Sequence, residues 1–143
     1  MLGMQNSPDL LRHFLFEDKL NQPMPIRGNL VHLNQTFTLA TQNQTLPPVL
    51  KIALGELMAA SALLSATLKM DGAMILQLQS KGALKLLVVE CSHDLHMRAT
   101  AKWDETLANE MEALSFIELV KHGQFVITLD PSLGRGLPRY CTN

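Results

Sequence analysis

One stretch of 21 residues, Val49 to Lys69, limits the possible folds of this chain more than any other segment. It is rich in alanine and leucine, which favour helix, and as a helix it would be about 31 Å long. From Leu57 onward apolar residues occupy every face, so such a helix has to be covered on more than one side. Its uncharged part, Leu57 to Leu68, has 12 residues, whereas a membrane span needs roughly 18. We therefore expect a buried helix and no membrane span.

The hydrophobic pattern after Asp71 and Gly72 changes from helical to alternating, which predicts strands. Three strands are expected over 74–79, 84–91 and 95–102, joined by two short turns, which is typical of an antiparallel meander. Residues 86–89 are apolar without alternation. This run indicates that the second strand lies inside a sheet, with both faces covered.

Three further strands are expected outside the meander. Residues 10–16 and 26–33 predict two strands that pair with each other, because the second alternates well after the interruption by Pro23 and Pro25. Phe125 to Leu129 alternates as the final strand.

Short helices complete the predicted elements. Residues 34–44 predict one with Thr36 as its N-cap. Ser115 and Glu118 have the spacing of a capping box, and Gly123 is expected to end that helix in a left-handed conformation. The acidic stretch 103–111 is expected to be a loop. These elements together predict a single α+β domain with antiparallel sheets packed around the long apolar helix.

The amino-acid composition gives no indication of a charged partner, although it does not exclude one. The chain has 12 Lys and Arg against 13 Asp and Glu, a formal charge of −1, so neither nucleic acid nor an anionic membrane is indicated as a partner. Its two cysteines, Cys91 and Cys141, are too few for a disulfide scaffold. The first residues lack the charge and apolar pattern of a signal peptide. A cytoplasmic location is the simplest expectation.

No residue cluster indicates catalysis. Cys91, His93 and His96 could in principle hold zinc, but their spacing matches no common zinc motif and a strand and turn would separate them. Nucleophile-elbow, metalloprotease, phosphate-loop and dinucleotide motifs are absent from the sequence. We therefore expect no enzyme activity and no metal.

Several runs of residues resemble one family, the redox-regulated holdase chaperones known as the 33 kDa chaperonins. The resemblance lies in Leu63 to Gly72 followed by Gln77 to Gly82. It is supported by four shorter runs: Phe14 to Glu17, Ile26 to Leu30, Met97-Arg98 and Gly123 to Thr128. It implies a cytoplasmic, ATP-independent chaperone that binds unfolding client proteins through exposed apolar surface.

The resemblance also implies a zinc switch that this sequence lacks. In the family, four cysteines in Cys-x-Cys and Cys-x-x-Cys arrangements hold zinc near the C-terminus, and Cys91 and Cys141 match neither motif. Residues 1–143 are thus expected to correspond to the N-terminal, substrate-binding domain without the zinc and redox domain, and with no cofactor.

The outward apolar residues Ile75, Leu87 and Val89 are the predicted client-binding residues. A sheet that stops before its last strands would leave edge groups uncovered, so a homo-oligomer is expected. Two alternatives stay open: a truncated domain with only a structural or assembly role, and a domain that binds a small ligand beside the apolar helix.

Overall fold

A computed structural model of the chain describes residues 8–69 and 71–131. Within them the chain forms six strands, four α-helices and one turn of 3-10 helix. The strands are β1 (Leu10–Glu17), β2 (Pro23–His32), β3 (Ala73–Gln79), β4 (Leu84–Ser92), β5 (Met97–Trp103) and β6 (Gln124–Asp130). The α-helices are α1 (Gln35–Thr41), α2 (Pro48–Leu68), α3 (Ala108–Ala113) and α4 (Phe116–Leu119).

The strands form two antiparallel sheets. β1 and β2 make a two-stranded hairpin, and the other sheet has the order β5-β4-β3-β6. The predicted meander of β3, β4 and β5 is confirmed, and β4 lies inside the sheet as its uninterrupted apolar run indicated. β6 returns to pair with the other side of β3. The α+β fold class is confirmed.

The long helix is confirmed, but its expected coverage is wrong. Leu50, Leu54 and Met58 are fully buried and recur every fourth residue, so one stripe of α2 faces the core. Ile52 and Leu68 on other sides are exposed. The helix is long and apolar enough to cross a membrane by length and composition alone, a test that core helices of soluble proteins also pass. Apolar residues on the other sides of α2, such as Ile52 and Leu68, therefore lie at the surface.

The core lies between α2 and the four-stranded sheet. α2 packs mainly on β4, with β5 and β3 beside it. The stripe on α2 meets buried side chains of β4, and one buried side chain each from α3 and α4 closes the end of this cluster; these residues are Leu84, Leu87, Val89, Met111 and Leu119. The core is thus a helix-on-sheet layer.

The hairpin is attached to the helices by polar contacts. Asn29 Nδ2 donates to Thr67 Oγ1 on α2 at 3.3 Å. The carboxylate of Asp9 accepts from the backbone N–H groups of Asn34, Gln35 and Thr36 at the start of α1, the last two at 3.0 and 2.8 Å. The prediction that Thr36 is the N-cap is therefore wrong. Asn34 is the N-cap residue of α1, and the distant carboxylate of Asp9 accepts the hydrogen bonds.

Three predicted boundaries change. β2 starts at Pro23 and also contains Pro25. Proline has no backbone N–H to donate, which is tolerated here because β2 pairs with β1 on one side only within the described residues. The stretch expected as an acidic loop holds the end of β5, the 3-10 turn and α3. The capping box of Ser115 and Glu118 is confirmed, but α4 ends at Leu119 and Gly123 is not left-handed.

Candidate functional site

Strand register decides which side chains share a face of the four-stranded sheet. Leu76 of β3 lies opposite Val89 of β4, and Leu78 lies opposite Leu87, on the face that α2 covers. Ile75 lies opposite Glu90, on the other face. Successive residues of a strand alternate between faces. The predicted client-binding residues therefore do not lie together.

The predicted outward position is wrong for two of these three residues. Leu87 is 1% exposed and Val89 is fully buried, because both point from β4 into the layer beneath α2. Ile75 is half-buried on the open face of the sheet. Its contact with a client stays a prediction, whereas Leu87 and Val89 are core residues.

An exposed apolar row follows β6 along one edge of the same sheet. Phe125, Ile127 and Leu129 point to the face of the sheet that carries α2, because they lie opposite Leu78, Leu76 and Met74 in the register of β3. They are nevertheless 52%, 47% and 49% exposed. Within residues 8–69 and 71–131, α2 lies over the centre of the sheet and does not extend over this edge. We call Phe125, Ile127 and Leu129 the β6 row.

A groove of about 290 Å³ lies beside the β6 row. Its lining is almost entirely apolar and comes from α2, β3, α4 and β6; the residues include Leu57, Ala60, Leu78, Phe116, Val120 and Phe125. Glu56 is the charged residue at this groove. The row and the groove together make a continuous apolar surface on the helix side of the sheet.

The hairpin carries a second exposed apolar surface. The rings of Phe14 and Phe16 are 5.7 Å apart in an edge-to-face arrangement, and both side chains are about half exposed. Leu30 of β2 is exposed beside them. Gly28 lies opposite Phe14, and a Cβ at Gly28 would overlap the Phe14 ring, so glycine lets the ring lie over the partner strand. We call Phe14, Phe16 and Leu30 the hairpin face.

The cysteine and histidine cluster does not form a metal site. Cys91 is buried, and burial raises the pKa of its thiol, whereas His96 is exposed and pairs with the carboxylate of Asp94 at 2.8 Å. The hydrogen bond from Ser92, followed by the contact with His96, lowers the pKa of Asp94 to about 2. Among residues 8–69 and 71–131 no three His, Cys, Asp or Glu side chains are placed to hold a metal ion. Cys141 lies outside these ranges.

Comparison with known proteins identifies the family. The family model described as Hsp33 protein matches residues 9–140. The chain belongs to the Hsp33 family.

Close relatives carry the name 33 kDa chaperonin. The protein of Methylobacillus flagellatus is 54% identical over 127 residues, which is 88% of this chain and 40% of the relative. The protein of Chromobacterium violaceum is 45% identical over 131 residues, 91% of this chain and 42% of the relative. That of Neisseria meningitidis serogroup B is 41% identical over 131 residues, 90% of this chain and 41% of the relative. The chain thus spans about two-fifths of the length of these Hsp33 relatives.

The family resemblance inferred from sequence is confirmed. The described residues contain no group of His, Cys, Asp or Glu side chains placed to hold the zinc that the resemblance implies. The buried thiol of Cys91 and the exposed imidazole of His96 do not converge, so we derive no chemistry through zinc.

The exposed apolar residues were missed by sequence reasoning. The alternation of Phe125, Ile127 and Leu129 predicted the strand but carried no signal that α2 would stop short of it.

Proposed function

We propose that this chain is an ATP-independent holdase that captures apolar segments of unfolding proteins on the β6 row and the hairpin face. The observation that carries the proposal is the exposure, near one half, of large apolar side chains aligned along strands in a member of the Hsp33 family. Contiguous apolar patches on soluble proteins commonly mark interaction sites. The name of the relatives supports a chaperone in particular.

The physical basis is removal of apolar surface from water. Such burial contributes about 25 cal/mol per Å² and is not directional. A surface of this kind binds many sequences with modest affinity, which suits a protein that meets clients of varied sequence. Neither covalent chemistry nor a nucleotide is needed, so the proposed activity is not that of an enzyme.

Capture on the β6 row and the hairpin face is proposed not to depend on oxidation of Cys91. The thiol of Cys91 is buried and its pKa is raised by that burial, so little reactive thiolate forms. A cytoplasmic location and a homo-oligomer formed through the same apolar surfaces complete the proposal. Static light scattering over a range of concentrations tests the oligomer, and a monomer at every concentration would contradict it.

Suppression of aggregation tests the holdase. A chemically unfolded test enzyme is diluted into buffer with an equimolar amount of the chain, without ATP, under reducing and oxidising conditions. We expect reduced light scattering under both. The double variant Phe14→Ser with Ile127→Ser should lose most of this effect, whereas Thr128→Ser, on the opposite face of β6, should keep it.

Two other outcomes would replace the proposal. A folded chain that fails to suppress aggregation in either buffer would favour a structural or assembly role. A metabolite retained in native mass spectrometry, together with inactivity in the aggregation assay, would favour a small-ligand-binding domain.

A further inference from the structure

Three sulfur-bearing side chains lie side by side on neighbouring strands of the four-stranded sheet. Cys91 of β4 lies opposite Met74 of β3 on one side and opposite Met97 of β5 on the other. Residues that lie opposite each other in antiparallel strands project to the same face, with Cβ atoms about 4.5–5.5 Å apart. We call Met74, Cys91 and Met97 the sulfur row.

The sulfur row lies on the face of the sheet that α2 covers. Met74 and Cys91 are buried, and Met97 is partly buried against the core. Ser65 of α2 forms a hydrogen bond with the thiol of Cys91. The three sulfur atoms are therefore contained in the helix-on-sheet layer, largely shielded from water and with one hydroxyl group beside them.

The backbone that carries the sulfur row is held in place on every strand. β3 and β4 each have a paired strand on both sides. β5 pairs with β4, and the side chain of Gln44 lies along its other side: Gln44 Nε2 donates to the carbonyl of Ala99 at 2.8 Å, and its Oε1 accepts from the N–H of Ala101 at 3.2 Å. The flexible thioether arms of the two methionines can then adjust around a ligand without movement of the strands.

A cavity of about 190 Å³ adjoins one end of the sulfur row. Met97 lines this cavity together with Ala62 of α2 and residues of the hairpin. Asp9 also lines it, and a carboxylate attracts cations. A small cation that enters the cavity therefore reaches the side chain of Met97, the least buried member of the row.

We propose that the sulfur row binds a copper(I) ion through Sγ of Cys91 and Sδ of Met74 and Met97. Thiolate and thioether sulfur are soft ligands that select Cu(I). On binding, the Cys91 thiol releases its proton to solvent and the copper–sulfur bonds form with no change of oxidation state. The charge of Cu(I) cancels that of the thiolate, so the complex is neutral and suits an apolar layer, whereas a divalent ion would leave a buried positive charge. This site goes beyond the proposed holdase function and uses neither the β6 row nor the hairpin face.

Competition with a copper(I) chelator under anaerobic conditions tests the site. Cu(I) is added as its acetonitrile complex, bathocuproine disulfonate is the competitor, and Cys141→Ser in every chain removes the other cysteine. We expect one Cu(I) per chain. Met74→Leu and Met97→Leu keep the apolar volume and should each weaken binding about ten-fold or more. Met111→Leu, at a buried methionine outside the row, is the matched control and should change binding by less than about two-fold. Equal affinity of all these chains would overturn the proposal.

Two spectroscopic measurements identify the ligands directly. Silver(I), a diamagnetic ion of the same charge, should shift the methyl NMR signals of Met74 and Met97 and leave that of Met111 unchanged. X-ray absorption of the copper-loaded chain should show sulfur neighbours alone, and Cys91→Ala, checked for folding by circular dichroism, should lose the binding. Nitrogen neighbours, or binding without a shift of either methionine signal, would mean an adventitious ion only and would overturn the assignment.

Discussion

The hairpin and the four-stranded sheet show how similar strands acquire different roles. β1 and β4 are both rich in apolar residues, yet Leu87 and Val89 of β4 are buried, whereas Leu15 of β1 is 69% exposed. β4 has a strand on each side and α2 above it. In the described part of the chain, β1 pairs with one strand and has few contacts with the helices. Apolar content therefore predicts a strand, and neighbours decide whether it becomes core or surface.

The difference extends to what holds each region in place. Apolar packing under α2 stabilises the sheet, while the hairpin is joined to the helices in part by polar links such as Asp9 to α1 and Asn29 to Thr67. A two-stranded hairpin alone is marginally stable in water. Apolar truncations should therefore be costly in the sheet layer and mild in the hairpin.

The largest expected effect tests the packing of α2. Leu54→Ala should lower the free energy of unfolding by about 2–5 kcal/mol, because Leu54 is fully buried and its loss leaves a cavity. Leu15→Ala in the hairpin is the matched control and should change stability by less than about 0.5 kcal/mol. Urea unfolding followed by Trp103 fluorescence measures both. Equal losses would contradict the distinction between the two regions.

A polar truncation tests the attachment of the hairpin. Asp9→Ala should cost about 1–2 kcal/mol, the range for loss of a helix N-cap, since three backbone donors of α1 lose their acceptor. Hydrogen exchange should quicken in α1 and the hairpin and stay unchanged in β4. Glu17→Ala, an exposed change on β1, serves as the control. Faster exchange throughout β4 would show that the hairpin is part of the core.

Acid should weaken the same attachment. Burial tends to raise the pKa of Asp9, but hydrogen bonds from the Thr36 hydroxyl and from the backbone of residues 34–36 outweigh it and hold the pKa below its usual 3.8. The stabilisation is present above that value and is lost as pH falls through the lowered folded-state pKa. The difference in unfolding free energy between the wild type and Asp9→Ala should therefore shrink between pH 7 and pH 2. A constant difference would contradict this linkage.

The substitution with the smallest expected effect, Gly28→Ala, tests whether the Phe14 ring can move outward into solvent. Gly28→Ala must displace the Phe14 ring, whose far end can swing outward, so we expect a loss below about 1 kcal/mol. Loss of the Phe14 to Phe16 ring contact in NMR spectra is the sharper readout. Gly82→Ala, where a Cβ meets no neighbour, is the matched control. A loss of several kcal/mol at Gly28 would mean that the hairpin face is rigidly packed.

Local pattern was sufficient for most of the fold. The alanine and leucine content of α2, the alternation in β3 to β6 and the spacing of Ser115 and Glu118 each specify local structure, and each was predicted. The N-terminal cap of α1 was not, because its acceptor, Asp9, lies 25 residues before Asn34 in the sequence. A single sequence carries no signal for such a distant pairing.

The site was harder to predict than the fold. The face of Leu87 follows from hairpin register: β3 and β4 pair so that odd residues of β4 meet even residues of β3, and a one-residue uncertainty reverses the face. Exposure of Phe125 depends on where α2 crosses the sheet, which sequence periodicity does not specify. Both errors arise from tertiary placement.

The Gln44 side chain limits how this sheet can grow. The side-chain amide of Gln44 pairs with the backbone carbonyl of Ala99 at 2.8 Å and with the N–H of Ala101 at 3.2 Å, so a strand of another copy cannot pair with the middle of β5. Growth of the sheet beyond β5 by strands of further copies, as in amyloid, is thereby disfavoured by one glutamine amide.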